Sequence, residues 1–428
     1  MDSGCAGARA QLQFRRKAHV IAPSVLPQWV LHPRHDRERS RALAADLDAP
    51  LAAAHALVNR GIVSVANARR FLEPALEDLH DPSALLDLDR AVERIHRGVA
   101  NRERILVHGD YDVDGITSTY LLYSALRDLG AEVEFRIPHR TRDGYGLSLD
   151  AIHDAHRRGC TLIVTVDCGV TAVEPVARAA ALGIDVVITD HHEPPEVLPG
   201  AVAVVNPHRV GCGYPFKSLA GIGVAFKVVE ALLRGRGGLE RAGSYLDVVA
   251  IGTIADVVPL VGENRVLARL GLERLNQDQR VGLRALIEVS GLTGRIINSG
   301  QVAFVLAPRI NAGGRMGNAE QGLRLLLARE SAEAHAVAES LEEDNERRRR
   351  FDEQALAEAE RIVETELAWP TCASILLWSE RWHPGVIGIV ASRLVERFQR
   401  PTILVALNGE LGRGSGRSLP GLDLNSVL

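Results

Sequence analysis

The sequence predicts an α/β protein in which a parallel-sheet domain is joined by a long helix to a second, smaller α/β domain. From about residue 84, short apolar runs alternate with helical segments, which is typical of a parallel sheet. Residues 330–367 contain no glycine or proline and consist mainly of Ala, Glu, Leu and Arg, which predicts one unbroken helix. A charged helix of that length commonly bridges two domains.

The elements follow from the order of the apolar runs. An irregular tail is expected at residues 1–36 and small helices at residues 40–75. Strands are predicted at 105–109, 133–137, 162–167, 184–190 and 201–205, and helices at 116–129, 173–182, 221–233 and 245–254. After the long helix, we expect a strand at 374–378, a helix at 386–398 and a strand at 402–407. The chain is therefore divided into parts 1–75, 76–290, 291–370 and 371–428.

Composition excludes several classes of protein. Of the 428 residues, 46% are hydrophobic and 24% charged, which indicates a globular protein rather than a disordered one. The net charge of −4 excludes a uniformly basic surface for nucleic acid, although a local basic groove stays open. Five scattered cysteines without a C-x-x-C motif fit a reducing compartment, and no apolar run reaches 18 residues, so a cytoplasmic location is expected.

Acidic residues and histidines follow the predicted strands at their carboxyl ends, where ligands of parallel sheets bind. The segments are 108–115, 166–169, 189–192 and 255–259, and their candidate residues are His108, Asp110, Asp112, Asp114, Asp167, Asp190, His191, His192 and Asp256. Three aspartates within five residues repel one another unless cations or solvent compensate their charge. A helix follows them, so an EF-hand calcium loop does not fit.

Carboxylate and imidazole ligands together suit manganese, iron or zinc, with magnesium as an alternative of lower affinity. Two divalent cations could share Asp167, activate a water molecule and stabilise charge on a phosphoryl oxygen. The residues therefore predict hydrolysis of a phosphate ester or anhydride.

These motifs, in this order, resemble the DHH phosphoesterase superfamily. Within it, three segments are similar to the RecJ-type exonucleases specific for single-stranded DNA: 110–115, 309–317 and 412–418. The resemblance covers about residues 80–428. It implies a DHH domain and a DHH-associated domain joined by the long helix. It also implies a following oligonucleotide-binding barrel, so we expect this chain to lack that part of the family's architecture.

The resemblance also implies a role for each site residue. His108, Asp112 and Asp167 would hold one metal ion, and Asp114, Asp167, His191 and Asp256 the other, with manganese expected and magnesium as the alternative. Asp110 would support the site or bind when the metals shift, and His192 would face the scissile phosphate. Asp190 would orient a histidine; the alternative is a helix N-cap.

The implied activity is 5′-to-3′ hydrolysis of single-stranded DNA to mononucleotides in DNA repair and recombination, with a helicase or single-strand-binding protein as partner. One alternative is a DHH phosphatase acting on oligoribonucleotides, cyclic dinucleotides or pyrophosphate. Those relatives carry a glycine–histidine motif, whereas residues 413–418 contain no histidine. The other alternative is an inactive replication scaffold, which predicts missing ligands.

Residues for holding the strand are expected around this centre. Arg140 is a candidate for the 5′-phosphate, with a surface salt bridge as the alternative. Arg309, Asn311 and Arg315 are expected in a glycine-rich turn facing the cleft. His383 precedes a helix N-terminus that favours an anion, or else belongs to a structural turn. Arg413, Ser415 and Arg417 would clamp phosphate, the alternative being a flexible surface loop. The run 347–350 is expected to be salt-bridged to the acids before it.

Overall fold

The computed structural model describes residues 30–140, 142–367 and 370–424. The chain divides after Arg69 into two compact units. The described part of the first unit consists of α1 (Arg37–Leu47), α2 (Leu51–Asn59) and the first turn of α3 (Val65–Leu72), which continues into the second unit. Asp36 is the N-cap of α1, and its side chain accepts a hydrogen bond from the Arg39 amide. Most of the predicted tail lies outside the described residues.

The main sheet of the second unit contains five parallel strands in the order β2–β1–β3–β4–β5. They are β1 (Arg104–His108), β2 (Glu132–Arg136), β3 (Leu162–Val166), β4 (Asp185–Thr189) and β5 (Ala203–Val205). All five strands were predicted from the sequence, and all their carboxyl ends lie at one edge of the sheet.

Helices cover both faces of this sheet. They are α4 (Leu88–Ala100), α5 (Val113–Asp128), α6 (Leu149–Arg157), α7 (Val173–Ala181) and α8 (Gly221–Leu232). Ile152 of α6 and Val176 of α7 pack with Leu106 on one face, and the residues of α4, α5 and α8 pack with Val107 on the other. Burial on both faces explains why the strands are continuously apolar rather than alternating.

A helical region follows the sheet. It contains α9 (Gly238–Ala242), α10 (Leu246–Ala255), α11 (Gly262–Gln277), α12 (Val281–Val289), α13 (Ser299–Gln301), α14 (Ala307–Met316) and α15 (Glu320–Leu327). A π-helical segment, Val302–Leu306, joins α13 to α14.

The prediction of a glycine-rich turn at residues 309–317 is wrong, because most of this segment is helix α14. Its two glycines serve close packing instead of a turn. A Cβ on Gly313 would lie 2.6 Å from the Asn318 carbonyl oxygen, and one on Gly314 would lie 2.6 Å from that of Tyr111. Tertiary packing therefore overrides the low helix propensity of glycine here.

The long helix is confirmed as α16 (Ser331–Thr365), 35 residues or about 52 Å at 1.5 Å per residue. Its N-terminal half contributes Ala338 and Leu341 to the core of the sheet domain. Its C-terminal half contributes Ala359 and Val363 to a separate core. One helix therefore packs into both domains, as its composition indicated.

The second domain contains β6 (Ile375–Ser379), α17 (Ile387–Phe398), β7 (Thr402–Asn408) and β8 (Leu411–Arg417). Strand β6 pairs with β7 in parallel, and β8 pairs with β7 antiparallel. The alternative of a flexible surface loop at residues 412–418 is therefore wrong for most of the segment, because residues 412–417 belong to edge strand β8. Its glycines face bulky partners: a Cβ on Gly412 would lie 2.9 Å from a Val405 methyl group.

No helix within the described residues combines the length and the apolar character that crossing a membrane requires.

Candidate metal centre

The first acidic segment leaves the carboxyl end of β1 and turns directly into α5. Asp112 is the N-cap of α5, and its side chain accepts a hydrogen bond from the Gly115 amide at 3.1 Å. Asp114 lies in the first turn of the helix. A Cβ on Gly115 would lie 2.5 Å from the Asp110 nitrogen, so glycine lets the loop fold back on the helix. This fold places three aspartates at one edge of the sheet.

Asp167 follows β3 and is buried in the left-handed backbone region, with φ at 60°. Such a conformation is uncommon for a residue other than glycine and concentrates at functional sites. The start of α8 lies against the same site: a Cβ on Gly221 would lie 2.4 Å from Asp167 Oδ1. The Gly221 and Ile222 amides donate to Asp114 at 2.7 and 2.8 Å, which holds that carboxylate in place.

His191, after β4, brings the acidic residues together. Its Nε2 lies 3.1 Å from Asp167 Oδ1, 3.7 Å from Asp256 Oδ2 and 3.8 Å from Asp114 Oδ2. Asp256 reaches this point because it directly follows α10. Residues from four distant segments thus meet at one point.

Among the described residues, three sets of side chains have donor atoms within 4.8 Å of one another. They are Asp110, Asp112 and Asp167; Asp114, His191 and Asp256; and Asp167, His191 and His192. Asp167 belongs to two of the sets, which is the position that a shared ligand requires. Asp110 lies among the donors themselves, whereas the resemblance implied mainly a supporting role for it.

His108 belongs to none of these three sets, although it is fully buried beside them. Its Nε2 lies 3.2 Å from the Gly146 carbonyl oxygen, and its Nδ1 is buried without a hydrogen-bond partner. A histidine that donates one ring N–H to a carbonyl keeps the other nitrogen available for a metal. Its role as a ligand stays a prediction that this geometry permits.

The electrostatics of these side chains favour the binding of divalent cations. Burial, and then the charge of Asp112, raises the pKa of Asp110 to about 8 and that of Asp256 to about 7. Burial and neighbouring carboxylates also raise the pKa values of Asp114 and Asp167 well above their usual range. Burial lowers the pKa of His191 to about 4, which leaves it neutral. Carboxylates this crowded ionise together only when cations compensate their charge.

Several buried atoms of the centre also lack a hydrogen-bond partner among the described residues. They are His108 Nδ1, Asp110 Oδ1, Asp167 Oδ1, His191 Nε2 and Asp256 Oδ2. Buried polar atoms are normally satisfied, so a group of orphaned donor atoms at one point calls for an explanation. These atoms are carboxylate oxygens and imidazole nitrogens, which are the types that coordinate divalent cations, so a bound cation would explain them.

Asp190 is hydrogen-bonded to His192, a contact that permits the orienting role implied by the resemblance; the role itself stays a prediction. Its carboxylate accepts hydrogen bonds from His192 Nδ1 at 2.8 Å and from the amides of His191, His192 and Val170. Burial opposes ionisation of Asp190, but these hydrogen bonds hold its pKa below the usual value. The alternative of a helix N-cap is wrong, since no helix follows Asp190 directly.

Tyr145 is a site residue that sequence reasoning missed. Its hydroxyl donates to the Asp167 carbonyl at 3.3 Å and lies 3.1 Å from His192 Nδ1. The ring packs edge-on against Tyr111 and His192. It lies between Gly144 and Gly146, both with positive φ, and that tight double turn was the available signal.

Arg140 lies on the rim of the centre. Its guanidinium stacks over the Tyr111 ring at 4.6 Å, and its carbonyl accepts a hydrogen bond from Arg413 at 3.2 Å. Arg413 belongs to β8, so the two domains meet beside the acidic cluster. The contact of Arg140 with a 5′-phosphate stays a prediction.

Helix α14 supports the first acidic segment from the other side. Asn311 Oδ1 accepts a hydrogen bond from the Val113 amide at 3.1 Å, at the start of α5. Arg315 donates to the Gly385 carbonyl at 3.0 Å, and burial lowers its pKa to about 10. Arg309 instead forms an ion pair with Glu342 of α16. Asn311 therefore positions the loop, and the predicted phosphate contacts of all three residues stay predictions.

In the second domain, β8 runs beside the start of α17. A Cβ on Gly388 would lie 3.0 Å from Ser415 Oγ and 3.1 Å from an Arg417 nitrogen. Arg417 donates to Ser415 Oγ at 3.2 Å. The structure thus brings together two of the three residues predicted to clamp phosphate.

His383 lies in the turn before α17. Its Nδ1 accepts a hydrogen bond from the Gly385 amide at 3.0 Å, and its ring stacks on Phe351. These contacts support the structural-turn alternative, and the anion contact stays a prediction. In the run 347–350, Arg347 pairs with Asp344 as expected.

Comparison with known proteins connects this geometry to a family. A model described as the DHH family, N-terminal domain, matches residues 104–253. The single-stranded-DNA-specific exonuclease RecJ of Escherichia coli (strain K12) is 37% identical over 420 residues, which cover 94% of this chain and 71% of that protein. The chain belongs to the RecJ family.

Further RecJ proteins agree. The RecJ of Bacillus subtilis (strain 168) is 42% identical over 399 residues, covering 93% of this chain but 50% of that protein. The chain thus spans about half the length of this relative. A crystal structure of RecJ from Thermus thermophilus in complex with Mn²⁺ superposes with a TM-score of 0.77 at 37% identity, covering 90% of this chain and 54% of that one. The predicted superfamily and fold class are confirmed.

Proposed function

We propose that this chain is a metal-dependent 5′-to-3′ exonuclease that hydrolyses single-stranded DNA to 5′-mononucleotides. The observation that carries the proposal is the convergence of three carboxylates, those of Asp114, Asp167 and Asp256, on His191 Nε2, with buried donor atoms that lack hydrogen-bond partners. Membership of the RecJ family supports the same activity and the same substrate.

Two divalent cations are part of the proposal. His108, Asp112 and Asp167 would hold one, and Asp114, Asp167, His191 and Asp256 the other, with manganese as the first choice and magnesium as the alternative. When bound, such a pair supplies an activated water and neutralises charge on the phosphoryl group. Asp110 lies close enough to serve either as a further ligand or as a support for the first ion.

The chain's own residues orient the substrate. His192 is held by Asp190, and this hydrogen bond raises the pKa of His192, which stabilises the charged imidazolium form relative to a free histidine. Its side chain is about half exposed, which suits an ion pair with the scissile phosphate. Tyr145 also packs against the ring of His192, at a steep angle to it.

The polar strand-binding residues would extend from this point across the domain boundary. Arg140, stacked on Tyr111, would hold the 5′-terminal phosphate, and Ser415 and Arg417 a phosphate further along the strand. Arg309, Asn311, Arg315, His383 and Arg413 are further candidates from the sequence. Duplex DNA would be excluded where the two domains approach one another beside Arg140 and Arg413.

The cellular setting is also a proposal. An exonuclease of this specificity would act on DNA in the cytoplasm of a bacterial cell, in repair and recombination. A helicase or a single-strand-binding protein would supply its substrate, since either one generates or holds single strands.

The decisive experiment uses a single-stranded oligonucleotide labelled at its 5′ end. With manganese, we expect a labelled mononucleotide as the first product, and no release after the metal is chelated. The matched control is the same oligonucleotide in a blunt duplex, on which we expect little activity.

Two outcomes would contradict the proposal. Cleavage confined to dinucleotides, cyclic dinucleotides or pyrophosphate would favour the small-substrate phosphatase. Absence of activity on every substrate, in a folded protein that binds manganese, would favour the inactive scaffold.

A further inference from the structure

A cavity of about 590 Å³ lies at the far end of α5 from the metal centre. Asp112 caps the first turn of α5, whereas Tyr123 and Arg127 of its last turns line the cavity. Sixteen helical residues separate the two ends, or about 24 Å. The volume falls within the roughly 300–1,000 Å³ of small-molecule sites. The cavity is thus large enough for a ligand and distinct from the centre described above.

One wall of the cavity carries an arginine side chain, that of Arg280, which its hydrogen bonds hold in a fixed position. Arg280 donates to Asp247 at 2.7 Å, to the Tyr120 hydroxyl at 3.0 Å and to the Ser244 carbonyl at 2.5 Å. Its guanidinium also lies 5.6 Å from the Tyr120 ring centre and 5.2 Å from that of Tyr245. These three bonds use three of the five N–H donors of the guanidinium. About a quarter of the side chain is exposed, so the remaining donors can meet a ligand.

Two further arginines, Arg127 and Arg329, line the same cavity and are exposed. Neither forms an ion pair with a carboxylate within the described part of the chain, whereas Arg324, on α15 just outside the cavity, pairs with Glu320. Among the described residues that line the cavity, Asp128 carries the one carboxylate, and it already accepts a hydrogen bond from Tyr245 at 3.1 Å. Asp247, outside the lining, balances the charge of Arg280, so Arg127 and Arg329 against Asp128 leave one net positive charge, which favours an anion.

The aromatic part of the lining defines the rest of the ligand. Tyr123 lines the cavity; the Arg127 guanidinium lies 5.8 Å from its ring centre, and Phe135 packs against it at nearly right angles. A half-buried tyrosine ring held in this way offers a surface on which a nucleobase can stack. Leu326 and Leu327 provide apolar contacts beside it.

We propose that this cavity binds a nucleoside phosphate, with the phosphate group between Arg127, Arg280 and Arg329 and the base against Tyr123. Guanidinium groups bind phosphate through paired, charge-assisted hydrogen bonds. The site is independent of the proposed nuclease activity, because none of its residues belongs to the metal centre.

Calorimetric titration of the full chain in the presence of EDTA tests the proposal, with deoxyadenosine 5′-monophosphate as the probe. Chelation removes metal-dependent binding at the acidic cluster, so a failed nuclease assay would not affect this measurement. We expect saturable binding of the mononucleotide, weaker binding of inorganic phosphate, and weaker binding of deoxyadenosine.

The double variant Arg127→Ala/Arg329→Ala should weaken mononucleotide binding by about tenfold or more, because each substitution removes charge-assisted hydrogen bonds to the phosphate. The matched control is Arg284→Ala/Arg324→Ala, which removes two exposed arginines on α12 and α15 outside the lining. Tyr123→Ala should reduce binding of the mononucleotide but not of inorganic phosphate. Circular dichroism verifies that each variant is folded.

Three results would overturn the proposal. No saturable binding at millimolar mononucleotide would remove the site. Equal weakening by the test pair and the control pair would show general charge attraction rather than this cavity. If inorganic phosphate bound as tightly as the mononucleotide, the nucleoside would contribute nothing to binding, and the cavity would be a simple anion site.

Discussion

Asp167 is the residue at which the two halves of the acidic cluster meet. It lies within 4.8 Å of donor atoms from both sides, and its left-handed backbone aims the carboxylate into the site. Asp110 and Asp256, on either side, titrate at unusually high pH because burial disfavours their charged forms. The chemistry of the centre thus depends on single side chains that the fold holds in unfavourable electrostatic surroundings.

Substitution of Asp167→Asn should reduce exonuclease activity by more than about 100-fold. This loss is larger than that expected for a residue that only hydrogen-bonds to a metal ligand. The amide removes the negative charge that both proposed cations share. Manganese titration by calorimetry should show weaker binding at both sites. Asp150→Asn, on the exposed first turn of α6, is the control and should leave both measurements unchanged. Near-normal turnover in Asp167→Asn would contradict the shared position.

Glu103 allows a test of pH-dependent stability away from the site. Its carboxylate pairs with the buried Arg94 at 2.6 Å and accepts a hydrogen bond from Thr161 at 2.9 Å. Burial alone would raise the pKa of Glu103, but these partners lower it below its ordinary 4.5. The stabilisation is therefore complete above about pH 4.5 and is lost as the pH falls through the lower pKa of the folded state.

Urea unfolding of the Glu103→Gln variant should accordingly show a loss of about 1.5–3 kcal/mol at pH 7, the range for hydrogen bonds to charged groups. The difference from the unsubstituted chain should shrink as the pH is lowered towards 3. Glu193→Gln, whose side chain is largely exposed, is the control. A difference that is constant from pH 7 to pH 3 would exclude the ionised pair as the source.

At the level of elements, the metal centre is built from the ends of strands and helices rather than from any one of them. The carboxyl ends of β1, β3 and β4 supply His108, Asp167 and His191, and the end of α10 supplies Asp256. Helix α14 does not carry ligands but packs against the backbone of Tyr111 and hydrogen-bonds to the Val113 amide through Asn311. The position of the first acidic segment therefore depends on a helix about 200 residues later in the chain.

Removal of that hydrogen bond in Asn311→Ala should weaken manganese binding by roughly 10- to 100-fold, as loss of a group that positions ligands does. Asn298→Ala provides a matched control, because Asn298 also accepts a backbone N–H, from Gln301, but lies outside the site. Both variants should lose about 1 kcal/mol of stability, and only Asn311→Ala should change metal affinity. Equal affinity in the two variants would limit Asn311 to a structural role.

At the scale of the whole molecule, α16 holds two separate hydrophobic cores in one arrangement. The contact from Arg413 to the Arg140 carbonyl and the contact from Arg315 to the Gly385 carbonyl connect the domains on the side of the metal centre. The residues of the second domain that are proposed to bind the strand thereby lie on the side of the acidic cluster of the first. A single strand that crosses this boundary would contact both domains.

Substitution of Arg417→Ala should weaken binding of single-stranded DNA and reduce the slope of log affinity against log salt by about 0.7, the value for one phosphate contact on a single strand. Arg361→Ala is the control, because Arg361 lies on α16 and pairs with Glu366. Affinity measured by fluorescence anisotropy over a range of salt concentrations gives both quantities. An unchanged slope in Arg417→Ala would exclude a phosphate contact by this residue.

The sequence by itself determined the parallel sheet, the bridging helix and the members of the acidic cluster, because these depend on local patterns. Apolar runs of five residues, a glycine-free and proline-free stretch, and acids placed directly after strands are all visible in the order of residues. The same patterns carry the family resemblance, which is why the members of the cluster could be named in advance.

Only the tertiary structure decided the roles of residues whose surroundings come from distant parts of the chain. The segment predicted as a glycine-rich turn is helix α14, and the segment for which a surface loop was the alternative is mostly strand β8. Close contact with Tyr111, Asn318 and Val405 favours glycine at those positions. Tyr145 and the cavity lined by Arg280 were equally invisible, because no local pattern records a contact made across the fold. Local order specifies secondary structure and motif, whereas long-range packing specifies which side chains meet.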